Sequence, residues 1–515
     1  MTGLDMLIMG VLILSLLAIG LSAGSKSTST EDYFLAGRSL SWHQIGFSLF
    51  ATNFSASALI GLTGAAYITG IAIYNYEWVG IFAILFFALV LVAVVRGSRV
   101  YTIAQYLNER YDQRVKTLYS VFIIFLIVFV DMAASLYAGG LLLSELIPGL
   151  SMPVVVMLVM GLAAVYSLVG GLQAISRTDV FQSFIILIGA MLIAYFTFAR
   201  IGGWSELKSG APDQFLSLIR PVGDRAVPWT GLIIGIPILG AYFWLVNQNM
   251  VQWVLSARTQ ADARRGLLLA GALKTLVLFI IILPGVAAIG LFPELSEPDR
   301  IYPALLLELL PVGVLGFVLA GFVAALMSNT DSTLHAASTI ISMDFVRASN
   351  ADISPQSLVK VGRITTVTII VISAIWAPMI GRFGTLFEYI QGLLSYAVAP
   401  FVVVYLGGLF WPRATSNGAI AALVLGLFTA IMIGVLKDGY HLFELHYLHV
   451  PLPVTLVSLT ALIGVSLTEK TYVEDTRLIW QPCRADAKDA QSYKTDVWLA
   501  LLLGLLVLAQ VWVFR

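Results

Sequence analysis

Ala51-Thr52-Asn53-Phe54-Ser55-Ala56-Ser57 places four polar side chains in seven positions inside an otherwise apolar run at 44–70, and Gly61, Gly64 and Gly70 follow. A helix in lipid must satisfy its backbone internally, so such a stretch reads as a break whose freed carbonyls line a cavity. A second interruption, Gly235-Ile236-Pro237 with Gly240, precedes Tyr242-Phe243-Trp244 in the run at 229–255. Interruptions five spans apart predict two inverted five-helix repeats with ligands held at the unwound midplane. The alternative is that Ser and Gly merely let helices pack closely.

The rest of the chain supports a membrane reading. Of 515 residues, 59% are hydrophobic and 11% charged, and the mean hydropathy is +0.92. Globular domains carry about 25% charged residues, so this chain is expected to dissolve in the lipid bilayer. Lys+Arg equals Asp+Glu at 29 each, which gives no basic excess for nucleic acid. The single cysteine, Cys483, rules out an internal disulfide framework. His43, His335, His441, His446 and His449 form no catalytic constellation, and His446 and His449 are expected to be solvated in a loop. No enzymatic activity is therefore expected.

At roughly 20 apolar residues per span, fourteen runs are expected: 5–24, 44–70, 75–98, 115–146, 152–170, 178–200, 229–255, 265–293, 308–345, 360–381, 385–411, 417–436, 449–468 and 495–514. With the N-terminus outside, twenty basic residues fall in inward loops and eight in outward ones. This bias predicts N-out and C-out. The continuous runs exclude a β-barrel, and the polar connections at 202–228 and 468–496 are too short for a soluble catalytic domain.

Ionisable side chains inside a span are functional candidates by default. Glu77, Asp131, Asp179, Lys274 and Asp331 qualify, with structural ion pairing or snorkelling as the alternative. In Ser176-Arg177-Thr178-Asp179 the aspartate also reads as a helix cap. In Ala325-Leu326-Met327-Ser328-Asn329-Thr330-Asp331-Ser332-Thr333, Ser328 and Ser332 share a helix face, with Asp331 beside them and Ala325 one turn earlier. Against the carbonyls of Ala51 and Phe54, this patch offers hard oxygen ligands for an ion. Six polar side chains in succession are too many to explain by hydroxyls bonding back to their own helix.

Several longer motifs resemble the sodium/solute symporter family. They are Glu31-Asp32-Tyr33-Phe34-Leu35-Ala36-Gly37-Arg38-Ser39, Tyr76-Glu77-Trp78, the stretch from Gly170-Gly171-Leu172-Gln173 to Val180-Phe181-Gln182, Leu283-Pro284-Gly285 and Leu406-Gly407-Gly408-Leu409-Phe410-Trp411. The similarity covers nearly the whole chain and is closest to the sodium/glucose and sodium/galactose branch. It implies an all-α, LeuT-type fold in one transmembrane domain. Residues 5–24 form an extra N-terminal helix, 44–200 and 229–411 the two inverted repeats, and 417–514 extra C-terminal helices. It implies a multi-pass protein of the plasma membrane, a bacterial inner membrane, with Na⁺ as the coupled ion and a sugar as the solute.

By the same resemblance, Ala51, Phe54, Ala325, Ser328 and the residue at 329 hold the main sodium. That residue is Asn329 here, where the family usually has Ser or Thr. Asp179 matches the family's acidic residue on the ion's inward route, and Asp331 and Ser332 match a second sodium site found in some relatives. Asn53, Glu77, Lys274 and Gln391 fall on the sugar contacts. Three positions depart from the galactose transporters: Ala58 for a glutamine, Gly240 for an asparagine, and Phe243 for an inner-gate tyrosine. Asp131 replaces a neutral polar residue; its simplest partner is Lys274, though it can also read a substrate group. Tyr242, Phe243, Trp244 and Tyr389 are candidate gates. The residues leave open another small polar solute (a polyol, an amino sugar, or a carboxylate read by Lys274), coupling to protons, and a substrate-gated channel or sensor.

Overall fold

The computed structural model describes residues 1–23, 29–146, 152–350, 352–469, 475–481 and 490–515. Lys26, Lys470, Cys483, Arg484 and Lys488 lie outside the described residues, and no side chain in the run 155–170 is described. The described residues are helical, and the only β pairing among them is two isolated bridges. Among the described residues, eleven helices are long and apolar enough to cross a membrane. Leu386–Ala397 and Ala399–Phe410, bent by 52° to each other, make a twelfth if they count as one span. The run at 44–70 divides into Trp42–Asn53 and Ala56–Thr69, neither long enough to span alone. The runs at 152–170 and 178–200 join in Met152–Ile201, which turns at Gly171. That turn has φ +58°, and an added Cβ would lie 2.6 Å from the Tyr33 carbonyl, so only glycine fits there.

Val314–Thr339 is the axis of the fold. Every residue from Val318 to Thr339 is buried, the polar ones included. Met152–Ile201, Gly3–Ala23 and Trp42–Asn53 pack around it. The start of this helix is held by the first one: Asp5 Oδ1 accepts from the backbone N–H groups of Gly313 at 2.7 Å and Gly316 at 3.1 Å. A carboxylate there satisfies two of the orphan donors of a helix N-terminus.

The residues counted as inward basic charges tie helix ends together. Arg110 donates to the carbonyls of Gly408, Trp411 and Ala414 at 2.7, 2.9 and 3.0 Å, closing the end of Ala399–Phe410. Arg264 and Arg265 share the buried carboxylate of Asp496 at 2.7 and 2.9 Å. Lys116 pairs with Asp344 at 3.6 Å. In the connection at 202–228, Leu218 donates its N–H to Phe514 O and accepts from Asn75 Nδ2.

Two expectations need correction. The interruption of the seventh run does not fall at Gly235-Ile236-Pro237: Trp229–Ala241 runs through Pro237, a π-helical turn covers Tyr242–Val246, and the break comes at Asn247, with φ −72° and ψ 120°. Gly235 is there for close approach, since a Cβ would stand 2.2 Å from the Leu448 carbonyl. His446 and His449 are not simply solvated. The ring of His449 bonds Thr230 Oγ1 at 2.8 Å, and that of His446 meets the Arg225 carbonyl at 3.0 Å.

Removing the cap on the axial helix tests its weight. Asp5→Ala is expected to destabilise the purified protein by about 1 kcal/mol, the usual worth of an N-cap. An unchanged melting temperature in detergent would show that the cap carries no stability.

Candidate functional site at the helix breaks

The break after Trp42–Asn53 has a local cause. Phe54 leaves the helix with φ −85° and ψ 57°, and Ser55 starts the next one as its N-cap, accepting from Ala58 N at 3.2 Å. Ser57 Oγ bonds Ser55 Oγ at 2.8 Å. An interrupted helix leaves its last carbonyls without intrahelical partners, and Ala51 and Phe54 lie in that interval, both buried.

Against the break lies the polar stretch of Val314–Thr339, and its side chains bond across helices. Thr52 Oγ1 and Ser332 Oγ are 3.0 Å apart. Ser328 Oγ donates to Asp179 Oδ1 at 2.6 Å, and Asn329 Nδ2 to Ser135 Oγ at 2.6 Å. Further along, Asn249 Nδ2 donates to Thr333 Oγ1 at 2.8 Å and Gln252 Nε2 to Thr339 Oγ1 at 3.0 Å. Ala325 is buried one turn before Ser328, and Asp331 is buried in the same stretch. Asp179 does not cap a helix. It sits well inside Met152–Ile201, because the chain turns at Gly171, and the neighbouring Thr178 hydroxyl bonds back to Ile175 O at 2.9 Å.

A second cluster lies on the other side of the break. Lys274 forms an ion pair with Glu77 and donates to Asn53 Oδ1 at 2.7 Å. Its Nζ stands 5.4 Å from the centre of the Trp244 ring. The expected Lys274–Asp131 pair is therefore not formed, because the ammonium is already occupied. For the same reason Lys274 is not a free cation waiting for a carboxylate solute.

Two adjoining cavities of 120 and 90 Å³ open here. Asn53, Glu77, Phe243 and Gln391 line both. Ala58, Asp131 and Asn329 line the first; Gly240, Trp244 and Lys274 line the second. Gly240 packs beside Gly80, whose Cα would be 3.7 Å from an added Cβ. Of the gate candidates only Phe243 faces the first cavity; Trp244 lines the second, and Tyr242 is buried in the surrounding core. Tyr389 accepts from Trp376 Nε1 at 2.8 Å and donates to the Phe129 carbonyl at 2.5 Å.

Two participants were missed from sequence. Ser135, which joins Asn329 to the fourth run, is one small hydroxyl in an apolar helix. Asp299 sits in the connection between the eighth and ninth runs, where an acid attracts no notice. Yet it is buried, and Asp299 Oδ2 accepts from Leu386 N at 2.9 Å, at the start of the half-helix that carries Gln391.

The broken helices around a buried polar axis define a class, the membrane symporters built on discontinuous spans. A substrate-bound, outward-open structure of a Na⁺-coupled sialic acid symporter superposes with a TM-score of 0.81 at 18% identity, covering 92% of this chain and 99% of that one. A nucleobase-cation-symport-1 family transporter has a TM-score of 0.56 at 14% identity, covering 87% and 98%. The chain belongs to the sodium:solute symporter family, whose model matches residues 33–426. The sodium/glucose cotransporter of Vibrio parahaemolyticus is 31% identical, with 92% of this chain and 94% of the relative covered. Sodium/myo-inositol cotransporter 2 of Homo sapiens is 32% identical over 85% of this chain and 70% of the relative. The protein is thus a multi-pass plasma-membrane symporter that couples a solute to sodium, and its relatives are transporters rather than enzymes.

Burial pushes the carboxyl of Asp299 up to about 6 from its ordinary 3.8. Between those values the folded protein binds a proton that the unfolded chain does not, so stability falls as pH rises through this window. Asp299→Asn keeps an acceptor for Leu386 N and removes the titration. The melting temperature of the wild type relative to this variant is expected to drop between pH 4 and 6.5; parallel curves would contradict the assignment.

Proposed function

We propose that the solute is a monosaccharide or a polyol of similar size, taken up with sodium by alternating access. The observation that carries this is the cluster of Asn53, Glu77, Lys274 and Gln391 around a shared cavity at the first helix break. Carboxylate, ammonium and amides together accept from and donate to vicinal hydroxyls. Sodium binds through the carbonyls of Ala51, Phe54 and Ala325 with the side-chain oxygens of Ser328 and Asn329, and leaves past Asp179. Asp331 and Ser332 belong to the release route or to a second ion. The bond between Thr52 and Ser332 supports this reading, since it fastens the break to the axial helix where the ion would sit.

A hexose is the first reading. A polyol such as an inositol is the second reading, supported by the likeness to sodium/myo-inositol cotransporter 2; Ala58, Gly240 and Phe243 stand where galactose carriers have two amides and a hydroxyl, which leaves room for a solute other than galactose. The membrane arrangement that goes with this function is fourteen spans, N-out and C-out, with 44–200 and 229–411 as inverted repeats in the inner membrane of a bacterium. The cap of Asp5 on Gly313 supports it, placing the starts of the first and ninth spans on the same side.

One sodium crossing about 100 mV releases roughly 2.3 kcal/mol, and a tenfold gradient adds about 1.4 kcal/mol. Together these concentrate a neutral solute roughly several hundredfold. In proteoliposomes an inward sodium gradient should drive accumulation of labelled glucose or myo-inositol, with no accumulation in choline or potassium. Ser328→Ala should raise the sodium concentration for half-maximal uptake about tenfold, and Glu77→Ala should abolish solute binding in a protein that still melts cooperatively. Equal uptake without sodium would refute the coupling, and dissipation of an imposed solute gradient without accumulation would indicate a channel.

A further inference from the structure

Among the described residues, Asp131 is a membrane-embedded carboxyl group with no cation beside it. It lies in a π-helical turn, Ile127–Met132, that interrupts the span between Gln113–Leu126 and Ala133–Leu146. Such turns displace one residue from the regular ladder and recur at functional sites. This one is fastened from several directions. Ser373 Oγ donates to the carbonyl of Val128 at 2.8 Å, Tyr389 Oη to that of Phe129 at 2.5 Å, and Ser135 Oγ to that of Asp131 itself at 2.9 Å. The backbone around Asp131 is thus held by hydroxyls from two other spans and from its own helix.

The side chain, by contrast, is unengaged. It faces the 120 Å³ cavity together with Asn53, Ser57, Phe243, Asn329 and Gln391. Among the described residues no side chain or backbone N–H donates to its oxygens. No arginine, lysine or histidine lines that cavity. The neighbouring Lys274 is matched by Glu77 and Asn53. Two carboxyl groups and one ammonium line the joined cavities, and the ammonium is taken by Glu77, so among the described residues Asp131 is the acid without a cation. The ion in the proposed sodium site does not cancel it, because that site has its own acid in Asp179, bonded to Ser328.

An ionised side chain inside the membrane without a partner costs several kcal/mol. A solute that brought a negative charge would add to that cost, whereas one that brought a positive charge would remove it. Resting on the monosaccharide reading above, we propose that the transported solute carries a protonated amine, and that Asp131 pairs with it while Asn53, Glu77 and Gln391 read its hydroxyls. Phe243 offers a ring face to the same ammonium. The class of solute is therefore an amino sugar or amino polyol; acidic sugars are excluded.

The experiment compares glucose with its 2-, 3- and 6-amino analogues and with N-acetylglucosamine, whose amine is masked as a neutral amide. Sodium-dependent thermal stabilisation and competition for uptake are measured on the full-length protein. At least one amino sugar is expected to act at concentrations tenfold or more below glucose, and acetylation should erase that advantage. In Asp131→Asn and Asp131→Ser the ratio of amino sugar to glucose affinity should fall toward one, while Asp131→Glu should retain the preference. Sodium-protected melting reports which variants fold. Wild-type protein that prefers glucose over all three amino sugars would overturn the proposal. So would neutral variants with an unaltered ratio, or variants in which only the sodium dependence shifts, since Asp131 would then serve an ion. Those results leave sodium-driven sugar uptake standing. If no sugar, charged or neutral, binds in sodium, the monosaccharide reading fails as well.

Discussion

The structure depends on the partners that Ser328, Asn329, Ser332 and Thr333 find across helix boundaries, inside a helix buried along its whole polar stretch. Unpaired buried polar groups are costly in a low-dielectric interior, and a network repays that cost only when its members are satisfied. Here the partners come from separate parts of the chain: Thr52 beside the first break, Ser135 in the fourth run, Asp179 beyond the Gly171 turn and Asn249 after the second break. The axial helix thus fixes where both breaks must fall.

This explains how two polar clusters of different chemistry lie so close together. The break at Phe54 meets Ser332 through Thr52 on one face and Lys274, the partner of Glu77, through Asn53 on the other. An ion that ordered the first face would stiffen the second. Reciprocal coupling between two ligands needs such a shared element, one whose order both of them favour.

Much of this was legible in the sequence because the signals were local. The break at 51–57 could be read from Ser55, a residue that caps helices well, and the axial helix from a polar run too dense for any lipid-facing span. What could not be read depended on distant neighbours. Gly235 and Pro237 look like a break, yet Gly235 answers to the carbonyl of Leu448, more than two hundred residues away, and the chain bends at Asn247 instead. Lys274 and Asp131 look like a pair by charge alone. The turn containing Asp131 and the prior claim of Glu77 on the ammonium decide otherwise, and neither is written in residue spacing. Asp179 resembles a cap in sequence, but the helical segment that holds it already begins at the Gly171 turn.

Trp376, Tyr389 and the Phe129 carbonyl form a relay of two hydrogen bonds across three helices. Tyr389 rides on the half-helix Leu386–Ala397, which also bears Gln391 and whose first N–H is held by Asp299. Phe129 sits in the same π-helical turn as Asp131. A tilt of this half-helix that parted Tyr389 from Phe129 would leave that carbonyl unpaired, so the half-helix that bears Gln391 and the turn that bears Asp131 are tied to each other's position.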